Sequence, residues 1–272
     1  MLPGPDTVYQ CPNCENLFTR GSLASWNTLK VTLYSDQSHN APQKKRFPSV
    51  TICSKCDTIF YISDAKKIGV FRRWLCHLPE GYFENLTQED KHNRAVWMDL
   101  EPARFLSIYE NFRRLNEKIY NGNLSEFHIR VNILHEFNNR VRGVIVTTLF
   151  EKPEDESLWL SNIHRLLELC DIVMEERRLE IEEFRKTDKY GSIFVPNGYW
   201  KRPHMCMLKA ELFRYLGQFD KCMSCFNDLD FSEDFRENEE EPKKFYDSMR
   251  QKFQAECDAK NTAVFQLSGR CS

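Results

Sequence analysis

The chain has 272 residues, enough for one large or two modest domains, with 41% hydrophobic and 29% charged residues. Ten glycines against twenty phenylalanines favour a mostly helical body. A net charge of −2 excludes a global field that would draw the protein to nucleic acid or anionic lipid, and no stretch approaches the ~18 apolar residues of a membrane span.

The opening Met-Leu-Pro-Gly-Pro-Asp lacks the basic and apolar regions of a secretion signal. Eleven cysteines, an odd number, then imply a reducing, cytoplasmic setting with thiols free or on metal. Four of them form two C-x2-C pairs, Cys11-Pro-Asn-Cys14 and Cys53-Ser-Lys-Cys56. Four thiolates in that pairing suit tetrahedral Zn2+ and leave no position for substrate, so one structural zinc per chain is expected. Tyr9 and Phe18 flank the first pair; Thr51, Ile52 and Ile59 to Ile62 flank the second. These β-branched and aromatic flanks predict strands, and with the knuckles they predict a zinc ribbon over residues 1–68. The competing readings are four unmetallated thiols, or a redox pair of thioredoxin type, which would need a helix opening at the motif.

The gap between the pairs is 38 residues, longer than the usual double-knuckle spacing of about 15–20. Thr28 to Tyr34 alternates and predicts a strand; Ser35 to Arg46 is polar, contains Pro42 and predicts an exposed loop. His39 in that loop is a surface residue in this reading. Lys44, Lys45 and Arg46 are candidate partner-binding residues, as a basic cluster that could meet phosphates together with Arg72 and Arg73.

Gly69 closes a short segment from Asp64, and residues 69–190 read as a helical body. Cys76-His77 has no third ligand near it and reads as packing. Pro102 suits the first turn of a helix running to about Tyr120, closed by Asn121-Gly122-Asn123. Ser125 then caps a segment to Arg142. Its apolar residues fit either period, and its length favours helix. Ser157 caps a third helix with a stripe of Trp159, Ile163, Leu166, Leu167, Cys170, Val173 and Met174, continued into solvent by the charged run Glu175 to Lys186.

Catalytic patterns are incomplete here. His135-Glu136 lacks the second histidine of H-E-x-x-H, because residue 139 is Asn. Glu89 and His92 form a single E-x-x-H where a di-iron bundle needs two. His128 and His135 make no site by themselves. No G-x-S-x-G, P-loop or G-x-G-x-x-G occurs. An enzyme or thiol sensor using Cys76 or Cys222 would lack an identifiable base.

Residues 191–272 form the tail. Ile193 to Lys201, with a Pro-Asn-Gly turn, predicts a small hairpin; its Tyr199 and Trp200 are candidate partner-binding residues, or else they cover the helical core. From Pro203, the residues Ala210, Phe213, Leu216-Gly217, Phe219-Asp220, Cys222 and Phe226 resemble one tetratricopeptide unit. A helix from Pro242 to about Ala259, with Phe245, Met249, Phe253 and Cys257 at four-residue steps, would cap it. Cys222 and Cys225 make a third C-x2-C, near Cys206 if packed on a helix, and read as core.

The arrangement resembles a group of uncharacterised bacterial proteins with a double C-x2-C zinc head and a tail reading L-G-x-F-D. That resemblance implies architecture and no activity. The sequence therefore predicts an α+β, mainly α fold: a small β zinc ribbon followed by a helical, tetratricopeptide-like body. The expected role is a non-enzymatic zinc protein that binds a protein partner. The alternative is a nucleic-acid accessory protein using the ribbon and its basic loop.

Overall fold

The computed structural model describes residues 2–25, 32–40, 46–73, 86–142, 148–187, 202–227 and 240–268. In chain order the elements are β1 (Leu2–Gln10), β2 (Leu17–Ser25), β3 (Thr32–Tyr34), β4 (His39–Asn40), β5 (Val50–Ile52), β6 (Ile59–Tyr61), a 3-10 turn (Ile62–Asp64), β7 (Lys66–Phe71), α1 (Gln88–Trp97), α2 (Ile108–Asn116), α3 (Gly122–Arg142), α4 (Asp155–Thr187), α5 (Arg202–Tyr215), α6 (Phe219–Asn227), α7 (Glu240–Asp258) and β8 (Gln266–Ser268). This is an α+β fold, mainly α, with its strands concentrated in the N-terminal region. Among the described residues no helix is long and apolar enough to cross a membrane.

Two compact units emerge. One holds residues up to Val31 and again Ala41–Ile119; the other holds Thr32–Asn40 and Tyr120–Cys271. In the first, β1 is the centre of an antiparallel sheet ordered β2-β1-β7, and β5 pairs with β6 in a separate hairpin. The strands predicted around both cysteine pairs are therefore present. Gly69 does not close a segment but lies inside β7, opposite Val8. The Trp97 ring occupies the space where its Cβ would stand, so only glycine fits without a shift. The core gathers Cys11, Phe18, Cys53, Phe60, Ile62 and Ala65 on one side, and Val50, Ile52, Ile59 and Leu106 on the other.

The helix expected from Pro102 begins six residues later. Residues 101–104 instead lie along strands: Thr19 N–H donates to Glu101 O (3.0 Å), Ala103 N–H donates to Thr19 O (2.6 Å), and Arg104 N–H reaches Thr51 Oγ1 (3.2 Å). Ser107 caps α2 with a full capping box, receiving the Glu110 N–H while the Glu110 carboxylate accepts the Ser107 N–H (2.8 Å). Hydrogen bonds from Arg104, with those of Ser107, hold the Glu110 carboxyl down at about 2 against the opposing pull of burial. The S-x-x-E signal was in the sequence; Pro102 drew the boundary away from it. At the other end, Lys118 (φ 55°) terminates α2, and α3 opens at Gly122, ahead of the expected cap at Ser125.

The second unit is built on α3 to α7. Phe127, Ile129, Val131, Ile133, Leu134 and Phe137 of α3 are buried, as are Trp159, Ile163, Leu166 and Cys170 of the predicted α4 stripe. Asp155, not Ser157, starts α4: its carboxylate accepts the Glu151 and Lys152 amides (2.9 and 3.1 Å) and pairs with Arg140 (2.6 Å). α5 and α6 form a helix hairpin that packs with α7 around Cys206, Ala210, Cys222, Cys225, Phe226, Met249, Phe253 and Cys257. The predicted hairpin at 193–201 lies outside the described residues.

Gly217 makes the α5–α6 turn with φ +69°, and nothing stands within 4 Å of where a Cβ would be. Its requirement is thus conformational rather than steric. Gly217→Val is expected to cost about 1–3 kcal/mol, while Gly217→Asn, which tolerates the left-handed region, should lose much less. Urea melts of the two variants that coincide would refute this.

The largest departure from expectation concerns Ser35 to Asn40, predicted to be an exposed loop. Ser35 and Asp36 are fully buried and Ser38 nearly so. They form the tip of hairpin β3–β4, which pairs through β3 with the distant β8 in a sheet ordered β4-β3-β8. Ser35 Oγ donates to Glu211 Oε1 (2.5 Å) and accepts the Phe265 N–H (3.1 Å). Glu211 is in turn bridged by fully buried Arg214 (2.7 and 2.8 Å), whose guanidinium also caps the carbonyls of Asn261 and Ala263. The Asp36 carboxylate accepts from Asn138 (2.6 Å), Arg142 and the Ser38 N–H, and His135 Nε2 lies 3.0 Å from Asp36 O. Burial pushes the Asp36 carboxyl up, yet the charges of His135 and Arg142 and these hydrogen bonds bring it below its ordinary value. The Ser35 hydroxyl and the Asp36 carboxylate are inside here because both find partners, whereas the buried Ser38 hydroxyl has none among the described residues.

Candidate metal centre

Two tight turns bring the four N-terminal cysteines together. In the first, Cys11 N–H donates to Asn16 O (2.8 Å) and Glu15 N–H to Cys11 O (3.1 Å); in the second, Cys53 N–H donates to Thr58 O (3.0 Å) and Asp57 N–H to Cys53 O (2.9 Å). Glu15 (φ 61°) and Asp57 (φ 57°) occupy the same left-handed position in each. The two knuckles are thus copies of one turn, one joining β1 to β2 and the other β5 to β6. Acidic residues stand where glycine would carry the same backbone without strain, so the left-handed turns gave no glycine signal in the sequence.

Within this frame the Cys11 and Cys56 sulfurs lie 3.7 Å apart, the Cys14 and Cys53 sulfurs 3.6 Å apart, and all four fall within 4.8 Å of one another. Bonds of about 2.3 Å at tetrahedral angles place sulfurs about 3.8 Å apart, so the set could hold a metal ion. A disulfide would need about 2.05 Å, and no disulfide forms among the nine described cysteines. Cys11 and Cys53 are buried in the core of the first unit, and Cys14 and Cys56 are half-buried and pack against it.

The thiols differ sharply without metal. Hydrogen bonding with Thr58, itself held by Asn13 (3.0 Å), keeps Cys56 down at about 6. The Asn16 amide pulls Cys14 the same way, but burial and the three neighbouring sulfurs push it up to about 12. Burial also raises Cys11. Four thiolates so close repel one another, and a divalent cation is what lets them ionise together. Arg113 of α2 braces the second knuckle through the Asp57 carboxylate and carbonyl (both 2.5 Å). Sequence reading missed this brace, because Arg113 lies 56 positions from Asp57.

Other candidates fall elsewhere. Lys44, Lys45, Tyr199 and Trp200 lie outside the described residues, as does Cys76-His77; Arg46 is exposed. Arg73, read as a phosphate contact, is instead spent on Asp6 (2.7 Å), Thr19 (3.0 Å) and the carbonyls of Met98 and Leu100. Cys222 and Cys257 have sulfurs 3.5 Å apart inside the helical core, where burial raises both thiols. Among the described residues the four N-terminal cysteines are the one group of three or more ligating side chains placed to hold a metal. No protein-family model, curated protein or solved structure matches the chain.

Proposed function

We propose that Cys11, Cys14, Cys53 and Cys56 hold one structural Zn2+, and that the protein works as a non-catalytic interaction module. The observation that carries this reading is the convergence of four sulfurs from two matching knuckles to within 4.8 Å of one another. An all-thiolate donor set selects soft or borderline metals over magnesium and calcium. When bound, zinc would tie the β1–β2 turn to the β5–β6 turn, offsetting half of the negative charge of the four thiolates, and would leave no open position for a substrate. The partner is a protein, met by the helical unit. The tetratricopeptide-like lettering of α5 and α6 supports this, since stacked helix pairs present concave surfaces to peptides.

Metal analysis of native protein should give about one zinc per chain, and cobalt substitution should give the thiolate charge-transfer and tetrahedral d–d bands of an S4 site. Iron, or no metal, overturns the zinc assignment. Affinity capture of the tagged full chain, with and without nuclease, tests the role. A stoichiometric protein that survives nuclease supports the scaffold. Recovery of nucleic acid, with proteins lost on digestion, replaces it with the nucleic-acid reading of Lys44, Lys45 and Arg46.

A further inference from the structure

We infer that metal occupancy at the four cysteines sets how firmly the Thr32–Asn40 hairpin is seated in the helical unit, so that this unit responds to zinc while contributing no ligand. The inference rests on the zinc reading above. The hairpin is threaded between the ligand pairs: Cys14 precedes it and Cys53 follows it, and their sulfurs are 3.6 Å apart. A metal holding all four thiolates therefore closes the loop that carries the hairpin.

That hairpin is an integral part of the helical unit. Its Ser35 meets Glu211 and the Phe265 amide, and its Asp36 meets Asn138 and Arg142. Its β3 strand supplies the pairing for β8. Unseating it strands Glu211 and Arg142 with fewer partners and leaves β8 without a neighbour among the described strands.

The coupling runs through the chain itself. Asn40 is separated from Tyr120 by ~80 residues, and when the metal-held unit folds, most of that tether becomes rigid. Loop-closure entropy follows the logarithm of length to the three-halves power, so shortening the free tether favours seating by about threefold for one halving and about eightfold for two.

Hydrogen exchange on the full chain, in buffers of fixed free zinc and then with chelator, tests this. The Phe265 amide bonds directly to Ser35, so a peptide covering residues 263–268 reports the seat. Zinc removal is expected to speed its exchange about three- to eightfold, with recovery on zinc re-addition. In Asp36→Asn the same peptide should exchange faster with zinc bound, and zinc removal should add less than about threefold. Knuckle peptides that lose protection on chelation while 263–268 stays unchanged overturn the inference and leave the zinc centre standing. A protein that binds no zinc overturns both.

Discussion

Cys11→Ser, and equally Cys53→Ser, is expected to drop zinc from about one per chain to none and to unfold the N-terminal unit. Both sulfurs are buried among Phe18, Phe60, Ile62 and Ala65, so a metal held by them would be continuous with that unit's small core. A structural zinc contributes an apparent ~10–16 kcal/mol to folding, as much as the whole ~5–15 kcal/mol stability of a typical domain. Three thiolates without the fourth lose the closed tetrahedron, and the hydroxyl of serine is a poor replacement at neutral pH. Acid acts in the same direction. The ligands must be thiolates, so zinc affinity falls as pH falls. The contrast is Cys225→Ser in the helical core, which should retain full zinc at a cost of about 1–3 kcal/mol. Zinc content and near-UV circular dichroism separate the two cases. A Cys11→Ser protein with full zinc and an unchanged spectrum would sink the ligand assignment.

The second large effect is expected at Arg214. Arg214→Met should destabilise the helical unit by about 3–5 kcal/mol, because it leaves the Glu211 carboxylate buried without its guanidinium and uncaps the carbonyls of Asn261 and Ala263. Glu211→Leu should cost a similar amount by stranding the guanidinium. The double variant should be less damaged than the sum of the singles by about 2 kcal/mol, since no unpaired charge remains. Urea unfolding followed by far-UV circular dichroism measures all three, and additivity within about 0.5 kcal/mol would show that the pair does not act as a unit.

Arg214 and Ser35 also mark where the sequence stopped being legible. The zinc knuckles could be read because their signal is local: two cysteines three positions apart, with strand formers on either side. The stripe of α4 was readable for the same reason, since a 3.6-residue period repeats within one element, whereas α3 fits either period and was legible only by its length. Ser35 and Asp36 misled because polarity argues for solvent unless a partner is known, and their partners Glu211 and Arg142 lie 176 and 106 positions away. β8 was missed likewise, as three residues become a strand only beside β3. The start of α2 was different: Ser107 and Glu110 announced it locally, and proline preference at a helix start outweighed them. Arg73 was read from its charge alone, whereas Asp6 and three other groups had already claimed it.

The interleaved path of the chain has a consequence for anyone who divides the gene. The helical unit is not one contiguous stretch of coding sequence. A fragment starting at Tyr120 leaves Thr32–Asn40 behind on the other piece, and a fragment ending at Ile119 carries that hairpin without the residues it belongs to. No single border yields two whole units. A working fragment pair would need the 32–40 peptide supplied in trans or spliced onto the helical piece ahead of Tyr120.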